Sequence, residues 1–182
     1  MAYTIGDIKA ILENEVDDSV SEGSLSAWVY SALVEISKLY GRVAEDSTAA
    51  VADVFYDLPA DHLATILIRD SEGKEYHDYT ITEYGQIAYD KDDTYTMQYF
   101  AMPEPLPTEE SELLDTIPAV HELFHVSIVD WCKQKFWDKE SDADSEESRF
   151  ADKFKISFYQ QISDAAQVLK NRSRKRSKIR MV

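Results

Sequence analysis

A chain of 182 residues, 44% hydrophobic and 12% aromatic, holds enough apolar material for one domain with a real core. Its formal charge of −16 implies a solvated acidic surface, and no apolar run approaches the ~20 residues that cross a bilayer. The single cysteine, Cys132, excludes an intrachain disulfide. The opening MAYTIGDIKAI has neither the basic start nor the apolar core of a signal peptide, so synthesis in a reducing cytoplasm is expected.

In chain order, Thr4 with Asp7 forms a capping-box pattern. Ile5, Ile8, Ile11 and Leu12 then mark a short amphipathic helix over 5–15. After an acidic turn, Ser24 is placed to cap a second helix over 24–40. Its apolar residues Leu25, Trp28, Val29, Ala32, Leu33, Ile36 and Tyr40 recur on one face, and Gly41 is expected to end it as a left-handed residue.

Residues 51–102 change character: Val, Ile, Tyr, Thr and Phe dominate, interrupted by turn signals. Four or five antiparallel strands are expected there, with turns at 70–73 and 91–93. Pro103, Pro105 and Pro107 make a stiff extended exit.

A third helix is expected over 118–138, with Pro118 in its first turn. Val120, Leu123, Phe124, Ser127, Ile128, Trp131 and Cys132 share one broad face. Val126, Val129 and Trp137 lie on the opposite side, so this helix should sit between two layers or against a neighbouring subunit. The last helix, over 146–169, carries Phe150, Phe154, Phe158, Ile162, Ala165 and Leu169 as its stripe, with Asp144 and Glu147 resembling a capping box. The fold class is therefore α+β. Helix pairs at both ends flank a small antiparallel β insertion in one domain, 1–169, followed by a basic tail, 170–182.

That tail, KNRSRKRSKIRMV, holds 7 of the 19 Lys and Arg and none of the 35 acids, so the preceding 169 residues carry 12 bases against 35 acids. Such a segment cannot fold alone and is expected to order on a partner. Arg172, Arg174, Lys175, Arg176, Lys178 and Arg180 would face carboxylates, with Ile179, Met181 and Val182 as an apolar end. Binding to the phosphate backbone is the rival use, although no interleaved aromatic residues are present to stack on bases.

One motif names a specific chemistry. His121-Glu122-Leu123-Phe124-His125 matches the zinc-protease pattern, in which two imidazoles one helical turn apart reach one Zn²⁺ and the glutamate serves as base. No second histidine follows to complete the ligand set, and the motif falls at the very start of its helix. His121 and His125 are therefore the candidate metal ligands, and the expectation is that neither they nor Glu122 are catalytic. His62 and His77 read as surface residues near strand ends. Asp17-Asp18 and Asp92-Asp93 read as solvated turns, lacking the ligand order and glycine of a calcium loop. Cys132 reads as a small core residue without an activating neighbour.

The order of these parts, with Leu58-Pro59, P-x-x-H-x-L followed by Cys132, and Ser148-Arg149-Phe150-Ala151-Asp152-Lys153-Phe154, resembles the bacteriophage head-to-tail connector (adaptor) proteins. The resemblance implies a structural virion protein with no active site and no cofactor. Copies would form a ring, usually dodecameric, beneath the portal protein of a filled capsid. The ring would offer a platform to the tail or a tail-completion protein and let DNA pass without sequence-specific binding. Such a protein is made in the host cytoplasm, ends in the virion neck and touches no membrane. In that setting Val126, Val129 and Trp137 would meet a neighbouring subunit. The alternatives are a zinc metallopeptidase and an acidic binding protein with a nucleic-acid-binding arm.

Overall fold

Thr4 opens the first helix as the sequence requires. Its hydroxyl accepts from the Asp7 N–H at 3.1 Å while the Asp7 carboxylate accepts from the Thr4 N–H at 2.9 Å. The computed structural model describes residues 2–140 and 146–179, the last nine by backbone alone. Its helices are α1 (Ile5–Val16), α2 (Glu22–Tyr40), α3 (Glu110–Asp115), α4 (His125–Glu140) and α5 (Glu146–Ile179). Its strands are β1 (Val43–Ala50), β2 (Phe55–Asp57), β3 (His62–Arg69), β4 (Tyr79–Ile81), β5 (Gln86–Tyr89) and β6 (Asp93–Ala101). The fold is α+β, with helices before and after two small antiparallel sheets.

The chain divides into two compact units, 1–36 with 104–182 and 37–103, where the sequence suggested a single domain. Each has a hydrophobic core of its own. In the helical unit α4 is central: every residue from Ser127 to Gln134 is buried, leaving this helix no solvent face over two turns. Its neighbours explain why. The Trp131 indole N–H donates to the Ser31 hydroxyl of α2 at 2.5 Å, and its ring lies 4.5 Å from Phe158 of α5. Phe136 meets Trp28 of α2 edge-on at 6.5 Å. On α5, Phe158 and Ile162 are 0% and 1% exposed, and burying each is worth about 1.5–3 kcal/mol.

Several boundaries differ from the expectation, each for a local reason. Ser21, not Ser24, caps α2: its hydroxyl accepts from the Ser24 N–H at 3.3 Å, so the helix starts at Glu22. Gly41 is not left-handed. It is required by close approach instead, since a Cβ there would stand 2.9 Å from Ser37 Cα. Pro118 does not open α4. The Val120 N–H folds back to the Pro118 carbonyl at 2.7 Å, a 3-10 turn follows at Glu122–Phe124, and α4 begins only at His125. Helix α5 runs ten residues past the expected end at 169. No Gly or Pro follows Leu169, Lys and Arg are good helix formers, and a helix already nucleated extends readily. Cations also suit a helix C-terminus.

In the second unit, one sheet has the order β1-β6-β3 and the other β2-β5-β4. Alternation along β6 sends Tyr95, Met97, Tyr99 and Ala101 inward. Tyr89 and Tyr95 stack with centroids 4.1 Å apart and planes within 2°, and Tyr76 lies 4.6 Å from Tyr95. The expected turn at 70–73 is present. The Gly73 N–H donates to the Asp70 carbonyl at 2.9 Å, and Gly73 takes φ +79°. Strand β1 lies outside the expected strand region and makes six strands in all among the described residues. It is a polar edge strand, VAEDSTAA, held in register against β6 from Val43↔Phe100 to Ala50↔Asp93.

Candidate functional site

The letters of the zinc-protease motif fall on a helix start rather than within a helix. His121 precedes the 3-10 turn in extended conformation, and its Nδ1 accepts from the Leu123 N–H at 3.2 Å, which makes it a cap. His125, 1% exposed, accepts from the Tyr3 N–H at Nδ1, 3.0 Å away. Its Nε2 therefore carries the proton, which it donates to the Val120 carbonyl at 3.2 Å. Both imidazole nitrogens are thus used in fixing the N-terminal segment and the α4 entry. A metal would have to break one of those buried bonds, and the two histidines do not share one face of an α-helix. Among the described residues no group of three His, Cys, Asp or Glu side chains is placed to hold a metal ion.

The interface candidates separate. Val129 is 4% exposed and belongs to the core of its own unit, so its assignment to a subunit contact is corrected: α4 has a layer on that side already. Trp137 is half-buried, with its ring 5.2 Å from Phe136 and 5.6 Å from Phe150 of α5. That packing is intrachain. Val126 alone of the three stays open, at 49% exposure. On α5, Ile156 is an apolar residue that faces solvent, at 71% exposure.

A buried charged group escaped the sequence reading. Asp130 and Lys133 are charged residues in an otherwise apolar stretch of α4, yet both are buried. Asp130 Oδ2 accepts from the Ser157 hydroxyl and from Gln161 Nε2, each at 2.6 Å. Its Oδ1 lies 3.3 Å from Lys133 Nζ, which also pairs with Glu15 of α1 and sits 5.1 Å from the Phe154 ring centroid. The cluster ties α1, α4 and α5 together. Only spacing on α5 could have signalled it, since Ser157 and Gln161 stand one turn apart beside the apolar stripe. Cys132 is fully buried, and burial pushes its thiol above the ordinary range, so it is an inert core residue. His62, expected at the surface, is half-buried, with Nε2 2.9 Å from Thr65 Oγ1, and burial lowers its pKa; His77 is exposed.

The helical unit also bears an open groove of about 460 Å³. Ser26, Ala27 and Tyr30 of α2 form one wall, Pro105, Leu106 and Pro107 the other, and Leu113 of α3 the base. The two prolines keep this wall extended, which lets Leu106 pack on the core from outside α2. Glu22 and Glu110 also line it.

Of the tail candidates, the backbone of Arg172, Arg174, Lys175, Arg176, Lys178 and Ile179 is helical as part of α5, which corrects the expectation of a disordered arm from residue 170. Arg180, Met181 and Val182, like Asp144 of the expected capping box, lie outside the described residues. Among the described residues no helix is long and apolar enough to cross a membrane. No protein-family model matches the chain, and no curated protein matches it.

Proposed function

We propose that this chain is a structural connector protein of a bacteriophage, assembling through its own copies into a ring between the portal vertex and the tail. The observation that carries the reading is α5. It is a 34-residue helix, about 51 Å long at 1.5 Å per residue, on a body whose first 169 residues hold 12 bases against 35 acids. Its last ten residues include six Lys and Arg and no acid. A helix basic at one end on an acidic body is complementary to another copy of itself in a head-to-tail sense, and head-to-tail contacts form a ring where the rotation between copies closes.

Two further features support an assembly role. Val126 and Ile156 leave apolar surface open on the helical unit. The acidic composition suits the wall of a channel through which DNA slides without adhering. The zinc-peptidase alternative loses its motif, because both nitrogens of His125 are engaged in the core.

Val126→Asp tests the reading in the full chain. A buried apolar side chain at a contact centre is worth about 2 kcal/mol. The substitution is expected to reduce assembly at least tenfold while leaving the melting temperature of the dissociated chain unchanged. Wild-type assembly by this variant would remove Val126 from the interface.

A further inference from the structure

The groove between α2 and the 105–113 segment is mainly apolar, with Glu22 and Glu110 among the residues that line it. The stretch 104–115 contains Glu104, Glu109, Glu110, Glu112 and Asp115 with no Lys or Arg. Its volume, about 460 Å³, is in the range of pockets that bury a small ligand or a few side chains. The chain contains one segment of the opposite character. Residues 170–182 carry seven cations and no acid, and end in Ile179, Met181 and Val182.

We infer that the apolar end of this segment from one copy seats in the groove of a second copy, with its cations facing the carboxylates there. The inference rests on the ring reading for its second copy and names the contact that would join neighbours. Helix geometry favours a second copy over the same chain. Helix α5 packs on α4, and Leu169 still touches the core, but the ten helical residues beyond it run about 15 Å further. Two lining carboxylates, an acidic 104–115 stretch and apolar walls together suit a basic peptide with an aliphatic end. A phosphate backbone would meet repulsion from the same carboxylates.

Cysteine cross-linking in the full chain tests this, because Cys132 is fully buried and stays silent. Chains bearing Ala27→Cys are mixed with chains bearing Met181→Cys and mildly oxidised. The expected result is a disulfide-linked pair of chains, at least tenfold more abundant than when Tyr84→Cys, at a position 82% exposed on the other unit, replaces Ala27→Cys. Raising salt from about 0.15 M to about 1 M shortens the Debye length from about 8 Å to about 3 Å and should cut the yield severalfold. Equal yields at the two positions would overturn the inference. So would a link that forms only within one chain in the Ala27→Cys, Met181→Cys double variant. Duplex DNA that binds the tail and abolishes the link would reassign the tail to nucleic acid. The mass of the wild-type chain in solution is read separately. A single-chain mass removes the ring reading, whereas a discrete ring lacking the Ala27–Met181 link removes only this contact.

Discussion

His125 shows how a residue's role is set by contacts distant in sequence. Its ring bonds the backbone of Tyr3, 122 positions earlier, so five matching letters say nothing about whether its nitrogens are free. His125→Ala leaves a buried N–H and a buried carbonyl unpaired and should destabilise the helical unit by about 2–3 kcal/mol in chemical denaturation. Adding zinc or a chelator to the wild-type chain should leave the melting temperature where it was; a zinc-induced rise would return the motif to metal chemistry. Asp130 is the second such residue. Asp130→Ala leaves Lys133 only its Glu15 partner and takes from Ser157 and Gln161 their shared acceptor, and should cost about 1–3 kcal/mol by the same measurement. Exposure was the illegible quantity at both positions. Polar side chains within an apolar pattern read as a solvent face, whereas α4 has helices on every side of it from Ser127 to Gln134.

At the scale of elements, the sequence was most legible where a cap and a stripe coincide. The Thr4–Asp7 box starts α1, and Phe154, Phe158, Ile162, Ala165 and Leu169 place α5. Strand β1 was hidden because Glu45, Asp46 and Ser47 have no strand preference of their own; β6 supplies the pairing. The α4 start was misplaced because His121 caps a 3-10 turn after Pro118 has already turned the chain. The tyrosines of the second unit give a pH prediction. Burial raises Tyr89 from 10.0 to about 12, with the Asp46 charge adding to the effect, and burial likewise raises Tyr95 and Tyr99. The folded state thus holds these phenols neutral while the unfolded chain ionises them. Stability from this source is complete below pH 10 and is lost as pH rises from 10 towards about 12. Denaturation followed across that range should show the loss, and Tyr89→Phe, which removes one of the raised phenols, should make it smaller. An identical pH dependence in wild type and Tyr89→Phe would contradict this account of the stacked Tyr89–Tyr95 core.

For the whole molecule, composition showed an acidic body and a basic end but not that the apolar residues divide into two cores. That division follows from the strands pairing among themselves within 37–103. The connector reading depends on what copies of this molecule do together, and the charge asymmetry along α5 is its physical basis. The most direct test is the native mass of the purified full chain, by light scattering or native mass spectrometry, across a range of concentration and salt. The account predicts a discrete closed oligomer, many times the 20.8 kDa chain, that loosens as salt rises. A mass of 20.8 kDa at every concentration and salt would contradict it.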